Sequence, residues 1–158
     1  MFKVSCIQIC SGKNIRKNLS ISKKLILKAI SQKSDFIITP ENSSLFGLKK
    51  KQLLKIATTM DKDIYLKGIR DIAKKYQKWI LASVVVKEKN KLRNRSVLVN
   101  AKGLIQAYYD KIHMFDVRLE KKEKYLESKT FTAGKTLKTV NLPWGKLGLS
   151  ICYDVRFP

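Results

Sequence analysis

The sequence predicts an α/β fold, and three observations carry that expectation. Short apolar segments bounded by turn residues recur along the chain. Two stretches with apolar residues at helical spacing separate the early ones. The resulting order is β-α-β-α-β-β-β, then a long loop, then a last strand, and helices between strands of buried character favour α/β packing.

The elements follow in order. Residues 3–9 alternate around Val4, Cys6 and Gln8 and read as a strand. Residues 14–32 place Ile15, Leu19, Ile26 and Ile30 on one helical face, with Asn14 as the cap. Asp35 to Thr39 is a short apolar run stopped by Pro40, a strand that ends at Glu41. Residues 62–77 put Ile64, Leu66, Ile69 and Ile72 on one side and Lys and Arg on the other, a second helix. Trp79 to Val86 is β-branched and apolar, a strand. Residues 96–99 and 104–109 flank Asn100-Ala101-Lys102-Gly103 and read as a hairpin. Asp110 to Lys135 has weak periodicity and many charges and reads as a long loop. Leu147 to Cys152 is the last apolar strand, and Asp154 to Pro158 looks like the entry to a helix that lies beyond the chain.

Composition narrows the function. The chain has 158 residues, 34 Lys plus Arg against 12 Asp plus Glu, and a net charge of +22. Its 44% apolar content excludes a disordered chain. No stretch approaches the ~18 consecutive apolar residues of a membrane span. The apolar start runs directly into Lys13, Arg16 and Lys17, with no cleavage site, so it reads as a strand rather than a signal peptide, and a cytoplasmic protein is the expectation.

The excess charge is mostly Lys and is spread over the chain, as in Lys49-Lys50-Lys51 and Lys121-Lys122. Information-bearing phosphate contacts favour the bidentate Arg fork. Solvated faces are therefore expected, with no specific nucleic acid and no membrane as partners. A basic module for nucleic acid or anionic surfaces is the alternative, and a steep loss of affinity with salt would reveal it.

The three cysteines are Cys6, Cys10 and Cys152, and their spacing fits no zinc pattern. Cys6 and Cys10 are expected to be small buried hydrophobes. His113 is the only histidine, which disfavours a metal site built on imidazoles.

Three polar residues stand at strand ends, where α/β proteins build sites. Glu41 closes the 35–39 strand, Lys111 follows the 104–109 strand, and Cys152 ends the last one. Each alone has a plain structural reading: a helix cap, a surface lysine, a buried thiol. Together they form a coherent set. A thiol is a nucleophile, a carboxylate takes and returns its proton, and a lysine stabilises an oxyanion.

These residues lie in four segments: Thr39-Pro40-Glu41-Asn42, Tyr109 to Asp116 (YDKIHMFD), Tyr125-Leu126-Glu127-Ser128, and Gly148 to Pro158 (GLSICYDVRFP). In order and spacing they resemble the motifs of the nitrilase superfamily of carbon–nitrogen hydrolases, from Lys3 to Pro158. The Lys-Ile-His-x-Phe-Asp and Cys-Tyr-Asp-x-Arg-Phe-Pro runs resemble the amidase branch that includes ω-amidase and deaminated glutathione amidase.

The resemblance implies Cys152 as nucleophile, Glu41 as general base and Lys111 as oxyanion-stabilising residue. It further implies Glu127 as a second glutamate that positions substrate and lysine, and the Tyr153 backbone N–H as the other oxyanion donor. The implied reaction hydrolyses the amide of a small carboxamide through a cysteine thioester, releases ammonia and an acid, and needs no cofactor and no metal. The implied fold is the N-terminal part of an α-β-β-α sandwich. Residues 1–158 would be one partial domain that ends just after the nucleophile, and a full-length chain would form a homodimer. An inactive fragment or remnant of such an enzyme is the other reading. One departure is Ala133-Gly134, where the family usually has Pro-Gly.

Overall fold

A computed structural model describes residues 2–118 and 124–158. Its main sheet has the order β1-β2-β3-β4-β5, with β1 Val4–Cys6, β2 Phe36–Ile38, β3 Trp79–Glu88, β4 Lys91–Val99 and β5 Ile105–Asp110. The first two pairings are parallel and the last two antiparallel. The helices are α1 Ile15–Ser31, α2 Lys50–Ile56 and α3 Ile64–Tyr76. Two small antiparallel ribbons follow: β6 Asp116–Arg118 with β7 Lys124–Leu126, and β8 Lys138–Leu142 with β9 Gly145–Leu149.

Both long helices begin where local chemistry satisfies free backbone N–H groups. Asn14 Oδ1 accepts from the N–H groups of Arg16 and Lys17 at 3.0 and 3.1 Å. Asp63 Oδ1 accepts from Leu66 N–H at 2.7 Å. The two helices share one face of the sheet. Ile26, Tyr65, Leu66 and Ile69 pack there on Ile37, Ile80, Val84, Val86, Val97 and Val99. Gly68 permits the helices to approach: a Cβ on it would stand 2.8 Å from the Leu19 methyl groups. The intervening Val85 points to the opposite face, with Leu45, Leu53 and Leu92, as strand alternation requires. On a third patch, Leu149 and Ile151 pack with Tyr109.

Several expectations change. The first strand is three residues long, and its half-buried side carries Ser5. Val4, Cys6 and Cys10 are exposed, so Cys6 and Cys10 are not core residues. The alternation is present, with the opposite face turned inward. β3 and β4 form one long hairpin through Glu88 and Lys91. Charges at Arg93 and Arg95 conceal it in the sequence, yet Arg95 is 3% exposed because Glu88 and Asp110 pair with it at 2.5 and 2.7 Å. The 110–135 loop holds β6, β7 and a 3-10 turn at Glu127–Lys129. Its Leu119 to Glu123 lie outside the described residues. α2 is an additional short helix, and β8 an additional strand. Cys152–Arg156 form a 3-10 turn within the chain. Among the described residues, no helix is long and apolar enough to cross a membrane.

Candidate active site

Glu41 sits just beyond β2, on a loop fixed to β3. Ser83 N–H donates to Thr39 Oγ1 at 3.1 Å, Asn42 N–H to Ser83 Oγ at 2.9 Å, and Val85 N–H to Ser44 Oγ at 2.8 Å. The loop hydroxyls of Thr39 and Ser44 thus satisfy two β3 N–H groups, and the β3 hydroxyl of Ser83 satisfies the loop N–H of Asn42. Lys111 follows β5, and its N–H donates to the Asn94 carbonyl at 3.0 Å, which continues the ladder by one residue.

The lysine is the centre of the site. Its side chain is 2% exposed, and Nζ donates to Glu41 Oε1 at 2.9 Å and to Glu127 Oε2 at 2.8 Å. No other lysine among the described residues is buried. Burial alone would lower its pKa. The hydrogen bonds and charges of Glu127 and Glu41 outweigh it, so the net shift is above the ordinary lysine value and the ammonium persists.

Glu127 is also 4% exposed at the side chain. Its Oε2 accepts a second bond from Phe115 N–H at 2.8 Å, and its own N–H donates to Phe115 O at 3.3 Å. Asn94 completes the cluster from β4. Its Nδ2 donates to Glu41 Oε1 at 2.6 Å and to Glu127 Oε1 at 3.2 Å. One amide and one ammonium thus bridge the same two carboxylates.

The substitution of Ala133 for the family's proline leaves this geometry anchored. Gly134 N–H donates to Lys111 O at 2.8 Å, and Arg93 Nη1 donates to Ala133 O at 2.6 Å. A Cβ at Gly134 would lie 2.3 Å from Asp110 O, so the glycine is what permits the approach.

Cys152 opens the 3-10 turn with φ +46, a left-handed conformation for a non-glycine residue. Such backbone persists only where its surroundings hold it, and it concentrates at functional sites. The residue is exposed, and its thiol faces the charged cluster. Partial desolvation and then the Glu41 carboxylate push the thiol up, while Lys111 pulls it down; the net shift is upward.

All five sequence-predicted residues therefore meet in one region: Glu41, Lys111 and Glu127 in direct contact, and Cys152 with Tyr153 on the adjoining turn. Two participants were missed. Asn94 lies in a charged stretch that gives no strand signal. Asp154 lies in the Gly148 to Pro158 segment, where no sequence pattern sets it apart from its neighbours. It is 7% exposed and accepts bonds from Tyr109, His113 and Ile151. Among the described residues, no group of His, Cys, Asp or Glu is arranged to hold a metal ion.

Comparison with known proteins identifies the family. The family model for carbon–nitrogen hydrolases matches residues 3–158. The chain is 32% identical over 160 residues to a deaminated glutathione amidase of Yersinia enterocolitica, covering 98% of this chain and 55% of that protein. It is 34% identical over 166 residues to a deaminated glutathione amidase of Synechocystis, covering 99% and 59%. Among solved structures, the Caenorhabditis elegans NitFhit protein superposes with a TM-score of 0.87 at 30% identity, over 99% of this chain and 40% of that one. The chain thus spans somewhat more than half the length of the two amidases. With the model matched over nearly its whole length, the chain belongs to the carbon–nitrogen hydrolase family, in the amidase branch of the nitrilase superfamily.

Proposed function

We propose that this site hydrolyses the amide bond of a small carboxamide through a thioester on Cys152. The observation that carries the reading is the buried Lys111 ammonium held between Glu41 and Glu127 at 2.9 and 2.8 Å, with the Cys152 thiol facing that cluster.

The raised thiol sets the first step. Cys152 rests protonated at neutral pH, so it needs a base at the moment of attack. Glu41, one-quarter exposed and facing the thiol, takes the proton as Sγ bonds to the amide carbon. The carbonyl oxygen becomes an oxyanion. The Lys111 ammonium and the Tyr153 N–H stabilise it, in a geometry fixed before reaction. Collapse breaks the C–N bond, and Glu41 returns its proton to the departing ammonia. The acyl group remains on Sγ. Water, deprotonated by Glu41, then attacks the thioester, and the acid and the free thiol are released. Glu127 fixes the lysine through its hydrogen bond to Nζ. The relatives named deaminated glutathione amidase support an amide substrate for this chemistry.

The test is covalent trapping. Incubation with a small primary amide, followed by acid quench and intact-mass measurement, is expected to show an acyl adduct on Cys152 together with ammonia release. Cys152→Ala should lose both. Ammonia release by Cys152→Ala at the wild-type rate would overturn the reading.

A further inference from the structure

We propose that Asp154 is a positioning residue, a carboxylate latch that ties the segment carrying Lys111 to the turn carrying Cys152. It rests on the roles given above to those two residues.

The latch is visible in its four donors. Oδ2 accepts from Tyr109 Oη at 2.7 Å and from Ile151 N–H at 2.9 Å. Oδ1 accepts from His113 N–H at 2.8 Å and lies 2.9 Å from His113 Nδ1, which carries the proton in the matching tautomer. Tyr109 and His113 stand two residues before and two after Lys111. Ile151 directly precedes Cys152. One side chain, 5% exposed, thus reaches both sides of the lysine and the residue before the nucleophile. The Glu41–Lys111–Glu127 cluster fixes the ammonium with respect to the carboxylates and meets the 150–158 segment through Glu41 at the Cys152 thiol. Asp154 adds the connection to the backbone of that segment, at Ile151. The ring of His113, stacked on Phe157 at 3.8 Å, closes the far end of the turn.

A carboxylate is required here, and an amide is not equivalent. Each oxygen of Asp154 meets one backbone N–H, His113 on one side and Ile151 on the other. Backbone N–H groups can only donate. In Asp154→Asn, either orientation of the amide turns its NH2 toward one of them, so no flip satisfies both. A hydroxyl or an imidazole could reverse its role; these two amides cannot. The strained φ of Cys152 would then lose a restraint that holds it.

The experiment reads Cys152 directly, without requiring turnover. In a Cys6→Ser/Cys10→Ser background, the rate of Cys152 alkylation by iodoacetamide is measured against pH for wild type, Asp154→Asn and Tyr109→Phe. The thermal midpoint is recorded for each. Release of the turn moves Cys152 out of the Glu41 and Lys111 field, so its alkylation midpoint is expected to fall toward that of an ordinary thiol in Asp154→Asn. Tyr109→Phe removes one donor and leaves the charge, and should shift the midpoint less, in the same direction. With an amide substrate, kcat should fall roughly 10²-fold in Asp154→Asn with KM unchanged, the cost of about 1 Å of misplacement. An unchanged midpoint in a folded Asp154→Asn overturns the latch. If that variant does not fold, Tyr109→Phe decides: a shift supports the proposal and no shift overturns it. If wild type hydrolyses no amide, the catalytic reading fails, and the alkylation profiles still decide the latch.

Discussion

Two charged clusters meet along residues 109–115, and they are built with opposite polarity. In one, the Lys111 cation is held between two carboxylates and shares them with Asn94. In the other, the Asp154 carboxylate is surrounded by N–H and O–H donors. They interleave along the chain: Tyr109 and His113 serve Asp154, while Lys111 and the Phe115 N–H serve the first cluster. The difference between them lies in what each leaves unfinished. Asp154 has two donors on each oxygen and no capacity for a ligand. The lysine cluster keeps a partly exposed Glu41 beside a thiol, and Asn94 Oδ1 has no partner among the described residues. The proposed reading gives reactivity to the open cluster and rigidity to the saturated one.

The largest break should come from the open cluster's centre. Lys111→Met leaves two carboxylates facing each other with a single amide between them. Removal of one partner from a buried ion pair costs about 3–5 kcal/mol, and in the proposed reaction the loss of an oxyanion donor costs a further factor of roughly 10²–10³ in kcat. Chemical denaturation and amide turnover measure the two separately. A variant as stable as wild type would mean that the Asn94 hydrogen bonds hold the two carboxylates together without the ammonium. Gly134→Ala acts on the same cluster through the backbone. Its Cβ would press on Asp110 O beside Lys111, and overpacking of this kind costs about 1–3 kcal/mol. On the saturated side, Tyr109→Phe should cost about 1.5–3 kcal/mol, the value of one hydrogen bond to a charged group.

Acid sharpens the contrast. Burial would raise the pKa of Asp154, but its hydrogen bonds to His113, Tyr109 and Ile151 outweigh that and hold it below the usual aspartate value. A carboxyl depressed by folding lends stability above its unfolded pKa, and that stability is lost as pH falls through the folded value. Wild type should therefore lose stability more steeply below about pH 4 than Asp154→Asn, whose stability does not depend on that proton. Equal slopes in a melting series would remove the charge from the latch.

The two clusters also differ in how well the sequence reveals them. Glu41, Lys111 and Cys152 stand out because each follows an apolar strand and each carries a reactive group. Nothing in composition separates Lys111 from the other lysines; its place after β5 does. Both long helices are legible from their periodicity and from Asn14, as is the 96–109 hairpin. Asn94 and Arg95 are hidden because they are polar residues in a buried strand, satisfied by partners far away in sequence. Asp154 is hidden for the same reason: its donors lie mostly some forty residues upstream, and spacing cannot show them. Cys6 illustrates the opposite failure. Strand alternation gives two faces, and only packing says which one is inside.

The smallest effect is the most discriminating. The Cys152 thiol is pushed up by desolvation and by Glu41, and pulled down by Lys111. Substitutions on the two sides should therefore move it in opposite directions. Glu41→Gln removes a negative charge and keeps an acceptor for Lys111 and Asn94, so less free energy opposes the thiolate and its pKa should fall. Lys111→Met removes the stabilising cation, so the pKa should rise further. In the Cys6→Ser/Cys10→Ser background, alkylation profiles against pH report both shifts. Glu41→Gln should then combine a more reactive thiol toward iodoacetamide near neutral pH with lost amide hydrolysis, because in the proposed reaction the same residue that suppresses the thiolate delivers its proton to ammonia. A fall in both reactivities together would place Glu41 in the frame of the site and take from it the role of base.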